Sequence, residues 1–230
     1  LHVHSEYSLL DSTCRIDALV RAARDRGFRS LAITDTGVMY GVIPFYQSCK
    51  AHGLHPVIGM EVPLADDWRP NGGHSPDDGP FIVLLAENEK GYQNLVKIST
   101  AVQHARMRRV ARDLVFDHAE GLIALSGGPG GEIERRLAAG DRKEAERLAR
   151  LYYERFSGRF YLELQDHGKV SERELLLAVV GLGTALGIPL VASNDVHYID
   201  QADALAHDCL ACIRTGETLE ERSRRAPGDQ

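Results

Sequence analysis

The chain opens Leu1-His2-Val3-His4, and near its other end it carries Asp195-Val196-His197 inside Ser193-Asn194-Asp195-Val196-His197-Tyr198. In an extended segment alternate side chains share a face. His2 and His4 therefore point the same way, with imidazoles about 7 Å apart along the strand. Asp195 and His197 form a second such pair if Leu190 to His197 is extended. Neutral imidazole is the commonest metal-binding side chain, and carboxylate is a regular companion. Either pair alone is a weak signal, because histidines at strand ends often bond to backbone. Each pair, however, follows or sits in an apolar strand and precedes a polar loop. The intervening chain reads as a scaffold that brings the two ends together.

That scaffold has a strand-then-helix rhythm. Apolar residues Ile16, Leu19, Val20 and Ala23 recur at helical spacing, and Gly27 stops the helix. Ser30 to Thr34 reads as a strand ending at Asp35-Thr36-Gly37. Val42 to His52 reads as a helix, with Pro44 in its first turn. His55 to Val62 is a strand that delivers Glu61 at its end, and Phe81 to Ala86 is a buried strand by its unbroken apolar run. Asn88 caps a helix carrying Tyr92, Leu95, Val96, Ser99 and Val102. Leu122 to Ser126 is a strand, followed by Gly127 to Gly131, a glycine turn whose amides are a weak anion-site signal. Asp141 with Glu144, and Ser171 with Glu174, mark two more helix starts. Phe160 to Leu164 and Leu190 to Ser193 are strands. The rhythm predicts parallel strands wrapped by helices. A closed barrel brings its first and last strands together, and such barrels work at the C-terminal strand ends. His2, His4, Asp35, Glu61, Asp195 and His197 all fall there.

Other features bound the problem. The 230 residues are 43% hydrophobic and 26% charged, with a net charge of −6. That is ordinary for a soluble globular chain and gives no general field for DNA or acidic membrane. No apolar run is long enough for a membrane span and no signal peptide is present, so a cytoplasmic location and no membrane partner are expected. Cys14 and Cys49 fall in helical patterns and read as buried thiols. Cys209 and Cys212 form a single Cys-x-x-Cys with no second pair to complete a zinc site, so a packed helix face is expected. Arg106, Arg108, Arg109 and Arg112 have no interleaved aromatics and read as a solvated surface rather than a phosphate contact. Asp66 to Pro80, rich in glycine and proline, reads as an exposed loop with His74 in solvent.

Several stretches resemble the PHP (polymerase and histidinol phosphatase) domain, in the version found in the bacterial DNA polymerase III alpha subunit, a C-family DNA polymerase. They are His2 to Asp11, Ile33 to Gly41, Ile58 to Val62, Leu84 to Leu95, Ser193 to Tyr198 and Ala206 to Gly216. The resemblance implies a distorted (β/α)7 TIM-like barrel over residues 1–216. Residues 217–230 would begin a linker to an absent polymerase body. It also implies a three-metal cluster with nine ligand positions, six of which match here. His2, His4, Glu61 and Asp195 correspond to the first metal's ligands, with Glu61 bridging to a second. That second metal's other ligand positions hold Phe81 and Gly128, neither of which coordinates through its side chain. The third metal's positions hold Asp11, Thr36 and His197, with threonine in place of a histidine. His74, His118 and His167 are not expected to move in as replacements.

With those ligands missing, the resemblance implies a degenerate site. It would hold at most one tightly bound divalent transition metal, zinc or manganese, with little or no 3′-exonuclease activity; magnesium would serve only the absent polymerase site. The implied role is a structural and interaction module of a DNA polymerase. It would brace the polymerase body of the same chain, reach primer-template DNA through the full-length protein, and dock a proofreading subunit or sliding clamp. The competing readings are an active metal-dependent 3′–5′ exonuclease and a small-molecule phosphoesterase of the histidinol phosphatase type.

Overall fold

The computed structural model of the protein describes residues 1–65, 79–105, 108–168 and 170–223. His74, Arg106 and the tail beyond Ser223 lie outside the described residues, as do the side chains at 170, 171 and 223. The described chain is mixed α/β, with a six-stranded sheet in the order β1-β2-β3-β4-β5-β6. It divides into two compact units, Leu1–Asp35 with Tyr40–Val57 and Asp195–Gln230 in the first, and Thr36–Met39 with Ile58–Asn194 in the second.

In the first unit, α1 (Ile16–Asp25) buries Ile16, Leu19, Val20 and Ala23, the helical stripe read from the sequence. It is followed by β1 (Ser30–Ile33) and α2 (Val42–His52). α2 ends where Gly53 takes a left-handed conformation, φ 75°, which a side chain would resist. Helices α8 (Ala204–Thr215) and α9 (Leu219–Ser223) complete the unit. A small core of Val3, Cys14 and Leu19 packs with Leu31, Val196 and Ile199. Cys14 precedes α1 in a loop rather than lying in a helix. The opening four residues form a single bridge, Val3 with Val196, rather than a strand.

The second unit holds most of the core, including Met60, Val62, Ile82, Leu84, Leu95, Ile98, Leu122, Phe156, Phe160 and Leu162. Strand β2 (His55–Pro63) enters it at Ile58 and pairs with β3 (Phe81–Ala86), Glu61 opposite Val83. Val83 and Leu85 are buried as well as Ile82 and Leu84, so both faces of β3 are covered, as its unbroken apolar run requires. Then come α3 (Glu89–His104), capped by Asn88, α4 (Arg112–Asp117), β4 (Leu122–Leu125), α5 (Glu132–Ala138) and α6 (Arg142–Arg155), capped by Asp141. Finally β5 (Phe160–Leu164), α7 (Val170–Leu186) and β6 (Leu190–Ala192) close the unit.

The expectation of uniformly parallel strands is wrong at β3. It runs antiparallel to both β2 and β4, while β4, β5 and β6 run parallel. A single helix returns a chain to the starting edge of its strand and makes the next strand parallel. After β3 the chain makes two passes. α3 returns it to the Pro63 end, where Val110 bridges Leu64, and α4 carries it back so that β4 starts with Leu122 opposite Ala86.

The arginine stretch is not simply solvated. Arg112 pairs with Glu132, which is buried and also accepts a 2.8 Å hydrogen bond from the Tyr152 hydroxyl. Arg109 donates to the Leu64 carbonyl at 3.3 Å. Arg112 thus ties α4 to α5, and Arg109 holds the loop before α4 against the end of β2.

Candidate metal centre

The first unit brings the two ends of the chain together by backbone hydrogen bonds. His4 N donates to the Val196 carbonyl at 2.9 Å, and Val196 N donates to the His2 carbonyl at 3.1 Å. Thr34 N at the end of β1 donates to the Val3 carbonyl at 2.8 Å, so the opening segment is held on both sides. With Val3 and Val196 as the bridged pair, His2 and His4 flank one partner and Asp195 and His197 the other. Alternation accounts for His2 and His4 sharing a side, but the expected extended run to His197 is not formed: β6 ends at Ala192, and Asp195 and His197 reach the same point from an irregular stretch. Asp195 has a left-handed backbone, φ 46°, a conformation that aspartate tolerates better than most residues. Ser12 Oγ lies 2.9 Å from the His4 carbonyl and 3.0 Å from the His197 carbonyl, so its single hydrogen is shared between the two segments.

The side chains converge on one atom. Asp195 Oδ1 lies 3.3 Å from His2 Nε2, 3.2 Å from His4 Nε2 and 3.1 Å from His197 Nε2. His2 and His4 are fully buried, and the Asp195 carboxylate is 24% exposed. Metal–ligand bonds of about 2.0–2.1 Å in a tetrahedral site set neighbouring donors roughly 3.3 Å apart. The spacing of His2, His4 and Asp195 is that of a ligand edge.

Hydrogen bonds further out select the tautomers. Ser8 Oγ gives its single hydrogen to Asp35 Oδ1 at 2.7 Å, so it faces His4 Nδ1, 3.0 Å away, as an acceptor. Asp35 is itself held by Ser5 N and Ser5 Oγ, both at 2.7 Å. His197 Nδ1 lies 2.9 Å from the Asp11 carbonyl, which can only accept. Both rings thus carry hydrogen on Nδ1 and turn Nε2 towards Asp195. This is the arrangement by which an outer partner fixes a ligating histidine. Two imidazole nitrogens and a carboxylate oxygen gathered at this spacing are the donor types that suit a divalent transition metal, which would take the place of any proton held between them.

The electrostatics show the same negative pole. Burial disfavours charge on Asp195, but His2, His197 and His4 outweigh it and hold the carboxyl well below the usual range. Burial alone would lower His197, yet Asp195 and Asp11 push it up to about 9. His207 on α8 has its ring 5.6 Å from that of His197 and is lowered by burial and by that neighbour.

Among the described residues a second donor set, His4, Asp11 and His197, also gathers within 4.8 Å. Its carboxylate is already engaged, because Arg214 Nη1 on α8 donates to Asp11 Oδ1. Nothing local in the sequence marks Arg214, which stands 203 residues from its partner.

Glu61, Thr36, Phe81 and Gly128 belong to the second unit. There Thr36 bridges Glu61, and Gly37 N donates to the Glu61 carbonyl at 2.8 Å. The Phe81 ring packs over the glycine turn: a Cβ on Gly130 would stand 2.2 Å from Phe81 Cε1, and one on Gly127 2.9 Å from the Phe81 carbonyl oxygen. A Cβ on Gly128, φ 56°, would meet the Gln165 amide at 2.5 Å. His118 bonds the Leu114 carbonyl of its own helix, and His167 lies between Glu172 and the Asn194 carbonyl. Cys212 is buried in α8 and Cys209 partly buried, as expected of a packed helix face.

The sequence profile of the PHP domain family matches residues 1–167. This chain belongs to the PHP domain family. Over 230 aligned residues and 97% of its length, the PHP chain is 39% identical to DNA polymerase III subunit alpha of Treponema pallidum. Over its whole length it is 37% identical to the same subunit of Pseudomonas aeruginosa. It spans about a fifth of the length of these relatives, 20% in each case. In structure it resembles a Bifidobacterium adolescentis protein assigned as a metal-dependent phosphoesterase, with a TM-score of 0.54, 14% identity and coverage of 91% of this chain and 94% of the other. That likeness speaks to the fold alone. No helix among the described residues is long and apolar enough to cross a membrane.

Proposed function

We propose that this PHP chain is the N-terminal part of a DNA polymerase III alpha-type protein. In this reading it serves as a structural and interaction module that retains one metal position and has little or no 3′-exonuclease activity. The observation that carries the reading is the packing at positions 81 and 128. Phe81 and Gly128 offer no side-chain donor, the Phe81 ring lies against Gly130, and a Cβ on Gly128 would stand 2.5 Å from the Gln165 amide. A hydrolytic site that clamps phosphate between ions needs those donors.

The retained position is the set His2, His4 and Asp195, suited by its nitrogen and oxygen donors to zinc or manganese. A metal bound there would supply Lewis-acid polarisation of a phosphate oxygen. Around it, Ser8 and Asp35 orient His4, and the Asp11 carbonyl orients His197. The fold belongs to this reading as a distorted (β/α)7 barrel over residues 1–216, with residues 217–230 leading towards a polymerase body. The hydrogen bonds of Val3 to Val196 and Thr34 support the opening segment as a seventh strand position. DNA, a proofreading subunit and a sliding clamp would be met through the full-length protein, in the cytoplasm.

The test is incubation of the purified chain with zinc or manganese and a 3′-labelled primer. The expected result is one tightly bound metal and no primer shortening above that of a His4→Ala variant. Metal-dependent shortening abolished by His4→Ala would establish the exonuclease instead. Turnover of a small phosphomonoester at an ordinary enzyme rate would establish the phosphoesterase.

A further inference from the structure

The two donor sets of the first unit cannot both be served. They share His4, whose Nδ1 is committed to Ser8, leaving one Nε2 lone pair for one ion. His197 has Nδ1 committed to the Asp11 carbonyl. Once His2, His4 and Asp195 are engaged, the second set keeps one carboxylate, Asp11. Arg214 Nη1 sits on its Oδ1, and His197 Nδ1 stands 3.5 Å from its Oδ2. A guanidinium does not lose its proton in proteins, so the positive charge at Asp11 is permanent over any working pH. It repels an approaching divalent ion and occupies an oxygen that the ion would need.

We infer that Arg214 is a built-in cation that takes the second ion's place at Asp11 and limits this unit to one metal. The inference rests on the one-metal reading above and adds the residue that enforces it. Asp11 then acts as a positioning residue: it anchors α8 through Arg214 and orients His197 through its carbonyl. The same contact ties α8 to the opening loop. α9 follows, with Arg222 donating to Asp208 of α8 at 2.9 Å, so the segment leading out of the domain is fastened to the centre through ionic links.

The test is a Mn(II) titration of the 230-residue chain, counting bound ions by the loss of the free-ion paramagnetic signal. Wild type should bind one equivalent. Arg214→Ala, and Arg214→Gln as a gentler variant, should take up a second, weaker equivalent by about 1 mM. Arg214→Lys, which keeps the charge, should stay at one, and adding Asp11→Asn to Arg214→Ala should abolish the gain. Thermal melts confirm that the variants are folded. One equivalent in wild type and in both neutral variants would overturn the role of Arg214 while leaving the one-metal reading intact. Two or more equivalents in wild type, or none in any variant, would overturn both.

Discussion

Ser8→Ala probes the outer layer of the centre without touching a metal donor. Ser8, His4 and Asp35 are all buried, so water does not readily replace the lost hydroxyl. Asp35 keeps Ser5 N on Oδ1 and Ser5 Oγ on Oδ2, so the loss falls on the His4 ring. Without an acceptor at 3.0 Å from Nδ1, the ring no longer has its tautomer and tilt fixed. Removing an outer partner of a ligating histidine costs about 10–100-fold in metal affinity, or roughly 1.4–2.7 kcal/mol. Zinc competition against a chromophoric chelator at neutral pH measures this directly. Long-range nitrogen–proton correlation spectra of the imidazole report the tautomer. Ser8→Thr, which retains the hydroxyl, should bind as wild type does. An unchanged zinc affinity in Ser8→Ala, with the ring still protonated on Nδ1, would refute the argument.

Three further outcomes are expected. Burial pushes the Glu134 carboxyl from 4.5 up to about 8, with the Glu163 charge adding to it and a hydrogen bond with Ser126 opposing it. Between those values the folded state holds a proton that the unfolded state has released, so stability should fall as pH rises from about 4.5 to about 8, by up to roughly 5 kcal/mol. Urea melts across that window should show the slope in wild type and lose it in Glu134→Gln; an equal slope in both would remove Glu134 as its source. Gly130→Ala should destabilise by about 1–3 kcal/mol through its clash with Phe81, and the penalty should shrink in a Phe81→Ala background; additive effects in the double-mutant cycle would show that the two do not pack together. Glu132→Ala should cost about 3–5 kcal/mol, since it leaves Arg112 without its partner, and Tyr152→Phe only about 1 kcal/mol; comparable losses would contradict the ion pair as the dominant interaction.

Local pattern was the legible part of this fold. Val42–His52, Phe81–Ala86 and Phe160–Leu164 end where apolar periodicity, glycine and proline say they should. The caps at Asn88 and Asp141 each accept a backbone hydrogen bond. Strand direction was not legible, because the apolar run of β3 reads the same whichever way it points, and the double pass through α3 and α4 depends on Val110 meeting Leu64. The pairing of His2 with His4 was readable from alternation, whereas Asp195 and His197 join them through a left-handed turn at Asp195 that the expected extended strand did not include. The parts that tune it were harder to see. Ser8 and Asp35 act through contacts 27 residues apart, and the arginine on Asp11 comes from a helix near the far end of the chain. In sequence Arg112 is one of several clustered arginines, and only its buried partner Glu132, 20 residues on, sets it apart.

The most direct measurement is anomalous scattering from crystals of this chain soaked in zinc or manganese. The account predicts one peak, within bonding distance of His2 Nε2, His4 Nε2 and Asp195 Oδ1. A second ion beside Phe81 and Gly128, or no peak at the histidines, would contradict it.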